Sequence, residues 1–188
     1  MIHIVIPEGL NRPDAAHDPL SDYYEECLRS VALLAGIGDA VYLAPGNSFG
    51  HSHPEDELAS VFLQQLRPDL LAYCVPGPRP HYMDTLDNAA CLRDWAHRHN
   101  RWPLPDCWLY CTRFHVFRTW FCFRVAGYRP NRVVASTPAN RSGLIVTRLK
   151  HYDYPIAHIL YEVLAVGYSV LRLARNYLLT GSLLPALE

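Results

Sequence analysis

The sequence has no marked excess of either charge. Its 188 residues include 17 lysines and arginines against 18 aspartates and glutamates, for a formal net charge of −1. No general basic excess points to nucleic acid, and no polybasic block points to anionic lipid. Internal repeats and low-complexity linkers are also missing. We therefore expect a single domain over residues 1–188, long enough to form a hydrophobic core.

Paired cysteines and a signal peptide are absent as well. The six cysteines contain no C-x-x-C spacing, so we expect reduced thiols in a cytoplasmic protein rather than disulfides. The N-terminus leads directly into a strand-like run at residues 2–6, without a signal-peptide pattern. The longest apolar run, residues 156–179, contains His158, Glu162 and Arg172. These groups would be costly inside a bilayer, so we expect an amphipathic or buried helix and no membrane span.

Several catalytic signatures are missing. There is no Gly-Lys-Ser/Thr phosphate loop, no G-x-G-x-x-G in the first turn and no G-x-S-x-G elbow. P-loop ATP hydrolysis, ordinary nicotinamide chemistry and serine hydrolysis therefore lose support. His51, His53, Glu55 and Glu57 are the best candidates for a metal site. However, Glu55 and Glu57 would point about 200° apart on a helix, so we predict no metal.

Short apolar runs alternate with segments of helical period. The predicted strands cover residues 2–6, 39–44, 69–75, 107–112 and 132–136, and the predicted helices cover 18–36, 54–66, 84–99, 113–126 and 155–179. Continuous apolar runs are typical of parallel strands that are covered on both faces. The sequence predicts an α/β fold: a three-layer sandwich with a mostly parallel sheet of about five strands and a long C-terminal helix. Asp18-Pro19 predicts the start of the first helix, and Asp84 with Asp87 predicts a capping box.

Polar turns follow the predicted strands. They lie at residues 7–12, 45–55, 81–88 and 112–118. In an open α/β sheet, ligands bind beyond the carboxyl ends of the strands, so we expect these four turns to meet at one edge. Gly46 and Gly50 would let the second turn approach a ligand closely, ahead of a helix N-terminus that suits an anion.

The fourth turn, Thr112–Arg118, is the most informative segment. It places a hydroxyl, an imidazole and two guanidinium groups between an apolar strand and an apolar helix. An imidazole that titrates near neutral pH beside cations makes a plausible site. The alternative is that His115 and Arg118 face solvent on a first helical turn. Residues 137–152, which are rich in basic residues and have no firm period, are either a basic flap or a solvated loop.

Four segments resemble the YdcF/SanA/ElyC family, and together they span nearly the whole chain. Asp84–Ala89 resembles the N-T-x-E-N-A motif of the family, and Thr112–Thr119 resembles its T-S-x-x-H-x-x-R-A motif. The turns at 8–9 and 46–47, the second followed by an acidic helix start at Glu55, are similar to two further family turns.

The resemblance implies a Rossmann-like domain of largely undefined biochemistry, with a ligand site at these motifs. One type of relative is associated with S-adenosylmethionine, so this is the cofactor that the resemblance suggests. Asp84, Asp87 and Arg113 stand where the family usually has asparagine, glutamate and serine. Many envelope-associated relatives have an N-terminal membrane anchor, which this sequence lacks, so a cell-wall precursor role is not expected.

The first functional hypothesis is a cytoplasmic enzyme that binds a nucleotide-like or S-adenosylmethionine-like ligand in a specialised biosynthetic pathway. His115 would be the general acid/base, and Glu8 and Asp84 are the other catalytic candidates, either of which could bind a ribose diol or an amino group. The predicted ligand-binding residues are Gly9, Arg12, Gly46, Asn47, Glu55, Thr85, Asn88, Thr112, Arg113 and Arg118. Gly46 and Asn47 would offer backbone N–H groups. Asn88 also has a purely structural interpretation, as a side chain that links neighbouring loops.

Two alternatives remain. The first is a hydrolase or transferase acting on a phosphate-bearing substrate, neutralised by Arg12, Arg113, Arg118 and Arg141. The second is a non-catalytic ligand sensor or scaffold. Tyr161 and Tyr168 are seven residues apart and share a helix face, which would either pack into the core or form a homodimer seam.

Overall fold

The computed structural model describes residues 1–15, 18–78 and 82–184. Its strands are β1 (Ile2–Val5), β2 (Ala40–Leu43), β3 (Leu71–Cys74), β4 (Cys107–Thr112) and β5 (Pro130–Ser136). Its α-helices are α1 (Asp22–Leu34), α2 (Glu55–Leu66), α3 (Thr85–Arg98), α4 (Val116–Val125) and α5 (Pro155–Thr180). Short 3-10 helices occupy Arg113–His115 and Thr147–Asp153.

The five strands form one sheet in the order β3-β2-β1-β4-β5, and every pairing is parallel. The central strand, β1, pairs Ile2 with Ala40 on one side and with Cys107 on the other. The chain changes direction across the sheet between β1 and β4, which makes their carboxyl ends the topological switch point. The predicted α/β fold, with its parallel five-stranded sheet and long C-terminal helix, is confirmed.

Helices cover both faces of the sheet. On one face, α1 and α2 bury side chains such as Leu28 and Leu63 against Val5 and Leu43. On the other face, α3 and α4 bury Leu92 and Phe123 in a second core. This double burial explains why the strands read as continuous apolar runs.

The first helix begins four residues later than predicted. Ser21, not Asp18, is its N-cap, and the Ser21 hydroxyl accepts a hydrogen bond from the Tyr24 backbone N–H. The backbone bends at Pro19 instead, Asp18 accepts from the Leu20 N–H, and Leu20 forms an isolated antiparallel bridge with Leu10. This bridge therefore overrides the local helix-start signal of Asp18-Pro19.

Of the two expected forms of the C-terminal helix, amphipathic or buried, the structure has the amphipathic one, because α5 is largely exposed and buries one face. Its buried residues are His158, Glu162, Ser169 and Leu173, which form one stripe against the domain. Tyr168 is 61% exposed and does not pack in the core. Within the described residues, α5 is the single helix that is long and apolar enough to cross a membrane.

Candidate functional site

Three side chains from different loops form a hydrogen-bonded chain at the switch point. The Glu8 Oε1 atom lies 2.8 Å from His115 Nδ1, and His115 Nε2 lies 2.9 Å from the Thr85 hydroxyl. All three side chains are buried. Because a carboxylate oxygen accepts the Nδ1 proton, a neutral imidazole leaves Nε2 free to accept from Thr85. The arrangement is hydroxyl–imidazole–carboxylate.

The backbone positions this chain from two strands. Glu8 follows β1, and its Oε1 also accepts the backbone N–H of Thr112, the last residue of β4, at 2.8 Å. The 3-10 turn Arg113–His115 then rotates the imidazole inward, so His115 is buried while Arg113 is exposed. Glu8 therefore links the ends of two neighbouring strands and orients the imidazole at the same time.

The second turn is held by acidic side chains. Glu55 accepts the backbone N–H groups of Gly9 and Asn47, each at 2.7 Å, and Asp56 accepts that of Gly46 at 3.1 Å. A Cβ atom on Gly46 would lie only 2.5 Å from the Glu55 Cβ, so glycine is required for this approach. The expectation that Gly46 and Asn47 offer N–H groups to a ligand is therefore corrected: these donors are used within the chain.

Burial shifts the acid/base behaviour of this turn. Desolvation raises the pKa of Glu55 to about 8, against the opposing effect of its two N–H donors, and the charge of Glu8 adds to the rise. Glu55 therefore holds the first and second turns together, and it also lines the cavity beside His115. Its structural role is shown, and its ligand-binding role stays a prediction.

The third turn contains the predicted capping box. Asp84 accepts the N–H groups of Leu86 and Asp87, and the Asp87 carboxylate accepts the N–H of Asp84. Arg172 of α5 donates to both carboxylates, at 3.0 and 2.6 Å. Burial and the neighbouring charge of Asp87 raise the pKa of Asp84. With its amide oriented so that the nitrogen is the donor, Asn88 donates to the carbonyl oxygens of Asp84 and Pro45, which favours its structural interpretation.

The arginines predicted for a phosphate do not form one cluster. Arg118 is buried and donates from Nε and Nη2 to Glu162 of α5, at 2.8 and 2.9 Å. Arg12, Arg113 and Arg141 are exposed and line neither of the two spaces beside His115 described below. Burial opposes ionisation of Glu162, but His115, His158 and Arg118 together lower its pKa to about 2. The predicted four-arginine phosphate site is therefore wrong in this geometry.

A small cavity of about 30 Å³ adjoins Thr85 and His115, with room for only about two water molecules. Leu149 and Tyr152 of the second 3-10 helix are buried and line it, so the C-terminal part of residues 137–152 covers the cavity as a flap. Residues 139–143 of the same segment are exposed, as expected of a solvated loop. Tyr82 and Tyr161 close the side toward α5.

A larger groove of about 640 Å³ lies beyond these two tyrosines, between α3 and α5. Its volume is within the usual range for small-molecule sites. It is lined by Tyr82, Asp84, Asp87, Arg118, Arg148, Tyr161, Leu164, Ala165, Tyr168, Ser169 and Arg172. Tyr82, Asp84, Arg118 and Tyr161 border both spaces. The groove is therefore separated from the hydrogen-bonded chain by these shared side chains alone.

The suspected metal ligands bind elsewhere. His51 lies 2.8 Å from the Asn11 carbonyl oxygen, and His53 lies 2.9 Å from Glu57. Within residues 1–15, 18–78 and 82–184, no group of three or more His, Cys, Asp or Glu side chains could hold a metal.

Sequence reasoning missed the contribution of α5. Tyr161, Glu162 and Arg172 border the site or hold its residues. Their signal was visible, since charged residues inside a long apolar helix need buried partners.

The fold and the site together define a class: a Rossmann-like α/β protein with a buried Glu–His–Thr chain at the switch point and a groove beside it. The chain matches no protein-family model, and searches of curated proteins and of solved structures found no similar protein.

Proposed function

We propose that this protein is an enzyme in which His115 acts as a general acid/base on a small molecule bound at the carboxyl edge of the sheet. The observation that carries the proposal is the Glu8–His115–Thr85 chain. A carboxylate that holds Nδ1 fixes the tautomer of an imidazole and stabilises the imidazolium that forms when Nε2 takes a proton. Nε2 then serves as the base.

The Thr85 hydroxyl is the group that His115 is placed to activate. Its oxygen lies within proton-transfer distance of Nε2, in a site shielded from solvent. A hydroxyl beside a base of this kind is the arrangement of an activated nucleophile. Group transfer or hydrolysis is therefore the reaction type that we propose, with Thr85 as the nucleophile.

We propose that the groove binds a nucleotide-like or S-adenosylmethionine-like ligand, and two of its features favour this. Tyr82 and Tyr168 offer aromatic surface for a planar base. Arg148 stacks 3.7 Å from the Tyr82 ring centre and makes no ion pair with any residue that the structure describes, so it can bind a carboxylate or phosphate. Tyr82, Tyr161 or the flap must move for such a ligand to reach His115, because the inner cavity holds only about 30 Å³.

Membership of the YdcF/SanA/ElyC family is part of the proposal. Its support is that three of the four resembling segments meet: Glu8 from the first turn, Thr85 from the third and His115 from the fourth contact one another. Residues far apart in sequence thus meet where the resemblance expects a ligand. A cytoplasmic location accords with the six free cysteines.

A substrate bearing a phosphate is the second candidate. Arg148 and Arg172 both line the groove. Arg172 is already paired with Asp84 and Asp87, so Arg148 supplies most of the available positive charge.

The first experiment measures binding and turnover together. The protein is incubated with S-adenosylmethionine, nucleotides and sugar phosphates, the melting temperature is recorded, and conversion is followed by mass spectrometry. A ligand that binds the native state raises the melting temperature. For a converted ligand, we expect His115→Gln to retain the thermal shift and to lose turnover by about 100-fold or more.

The matched control is His97→Gln, an exposed histidine at the opposite end of α3. It should leave both readouts unchanged. Full turnover in His115→Gln would refute the acid/base role. A thermal shift without any conversion by the unmodified protein would instead support the sensor alternative.

A further inference from the structure

The outward side of α5 carries an apolar seam with a regular repeat. Its members alternate at spacings of four and three residues: Ile156, Leu160, Val163, Gly167, Val170, Ala174 and Tyr177. The average spacing of 3.5 residues is the repeat that packs one helix against another. All seven are exposed, and they lie opposite the stripe that contacts the domain.

A leucine row widens this seam. Leu164, Leu171 and Leu178 each follow a seam position by four residues, and each is more than 70% exposed. Isolated two-stranded coiled coils usually carry charges at such flanking positions. An apolar row there is typical of a helix that faces a packed core on that side.

The middle of the helix allows close approach. Gly167 lies at the centre of Pro155–Thr180, on the seam, and a Cβ atom added there would meet nothing within 4 Å. Beside the N-terminal half of the seam is an apolar depression of about 390 Å³, bordered by Phe117, Ile159 and Val163. The C-terminal half presents protruding side chains, including Leu178 at 83% exposure.

These features indicate what covers the seam. If a second α5 packs in the antiparallel direction about Gly167, the leucine row of each helix lies beside the leucine row of the other, and the two rows form one apolar edge. We infer that α5 docks antiparallel against α5 of a second copy of this chain, with the two-fold axis at Gly167. Such an interface is isologous, as in most homodimers.

The exposed area is adequate for this partner. An exposed Val, Leu or Ile side chain can bury on the order of 100 Å² of apolar surface against a partner. The seam and the leucine row together therefore present several hundred Å² of apolar surface. Each partner in a stable complex buries about 800 Å², and Phe117 and Trp120 of α4 extend the surface.

A lipid partner fits these observations less well. Helices that lie on a membrane are rich in lysine and arginine beside their apolar face. Here α5 has no lysine, Arg172 is bound to Asp84 and Asp87, and Arg175 alone is an exposed cation. Contact with lipid also requires no 3.5-residue register. A membrane span would remove Glu162 and Arg172 from the partners that hold them in the domain.

The dimer would also border the ligand groove. Leu164 belongs to the leucine row and lines the groove, so the partner chain lies beside the groove. This consequence is independent of the chemistry proposed there, because the inference rests on the α5 surface alone.

The test is sedimentation equilibrium of the full chain at micromolar concentration. We expect twice the chain mass of 21.4 kDa for the unmodified protein. Leu171→Glu should give the monomer mass with an unchanged circular dichroism spectrum. Ile37→Glu is the matched control, because Ile37 is an equally apolar residue that is 91% exposed outside α5. It should remain dimeric.

Oxidative cross-linking tests the direction of pairing. Gly167→Cys should form a disulfide-linked dimer, whereas Leu160→Cys should not, because antiparallel pairing separates the two copies of residue 160. The unmodified chain, with five of its six cysteines buried, is the control. A monomer at all concentrations, or binding to anionic vesicles that Leu171→Glu abolishes, would overturn the inference. Cross-linking through Leu160→Cys would overturn the antiparallel pairing.

Discussion

At the scale of single residues, buried carboxylates organise the site loops. Glu55 sits in the first turn of α2 with both oxygens bound to backbone N–H groups, and it is surrounded by Glu8 and Asp56. A carboxylate so placed orders two turns with one side chain. Burial of its ionised form is unfavourable, and this makes the stability of the protein depend on pH.

Glu55 should make the protein less stable as the pH rises. Its pKa is raised by burial from 4.5 to about 8. Between these values the folded protein keeps a proton that the unfolded chain has released, so the free energy of unfolding falls with increasing pH. The slope from this group is at most about 1.4 kcal/mol per pH unit. Urea unfolding measured between pH 4.5 and about 8 should show this fall in the unfolding free energy.

Glu55→Gln isolates the effect. The variant loses one acceptor and should be less stable than the unmodified protein near pH 5, and the difference should narrow toward pH 8. Glu57→Gln, which replaces a partly exposed acid in the same turn, is the control and should keep the original slope. A difference that does not vary with pH would show that Glu55 does not titrate in this window.

Sequence reasoning identified Glu8, Thr85 and His115 as site residues because a parallel sheet brings the carboxyl ends of its strands to one edge. It could not predict that Gly46 and Asn47 would already be hydrogen-bonded. That outcome depends on the side-chain conformations of Glu55 and Asp56, which only the packed structure defines. The pairing of Arg118 with Glu162, 44 residues away, was hidden for the same reason.

At the scale of secondary structure, α3 links the site to the C-terminal helix. Asp84 caps its N-terminus and also accepts from Arg172 of α5. The same carboxylate borders the groove. The position of Thr85, the first residue of the helix, therefore depends on the cap directly before it.

Two replacements of Asp84 should distinguish the stability contributed by its helix cap from the stability contributed by its ion pair with Arg172. Asparagine is an equally good N-cap, so Asp84→Asn should lose only the partly exposed contact with Arg172, a small effect. Asp84→Ala also loses the cap and should lower the free energy of unfolding by a further 0.5–2 kcal/mol, roughly. Chemical denaturation of both variants tests this difference. Equal stability of the two variants would mean that the cap contributes nothing.

Element boundaries were predictable where one local signal dominates. The capping box placed the start of α3 within one residue, and Pro155 begins α5 as predicted. The start of α1 was misplaced because an isolated bridge between Leu10 and Leu20 competes with the local cap. The choice between an amphipathic and a fully buried α5 could not be made from the sequence, because hydrophobicity predicts that a surface will be covered, but not whether the same chain covers it.

At the scale of the whole molecule, α5 is held to the domain by charge as much as by packing. Arg118–Glu162 anchors its N-terminal half, and Arg172 with Asp84 and Asp87 anchors its C-terminal half. The first pair is buried beside His115 and the second lies at the groove. The helix that presents the proposed dimer seam is thus fixed to the residues of the proposed site.

Breaking the buried pair should therefore loosen α5. Glu162→Gln leaves the Arg118 guanidinium buried without its anion, and removing one partner of such a pair typically costs about 3–5 kcal/mol. Replacing both residues by Leu removes the unpaired charge, so the double variant should be much closer to the unmodified protein. Urea unfolding near neutral pH measures both, with exposed Arg175→Gln as the control.

The pH dependence of the unfolding free energy tests the Arg118–Glu162 pair in a second, independent way. The pKa of Glu162 is lowered from 4.5 to about 2, so its contribution is complete above pH 4.5 and is lost as the pH falls toward 2. The double Leu variant should lack this acid-induced loss, whereas the Arg175→Gln control should keep it. If Glu162→Gln cost less than about 1 kcal/mol, the usual value of an exposed pair, the buried pair would not be what holds α5, and the link between the seam and the site would fail.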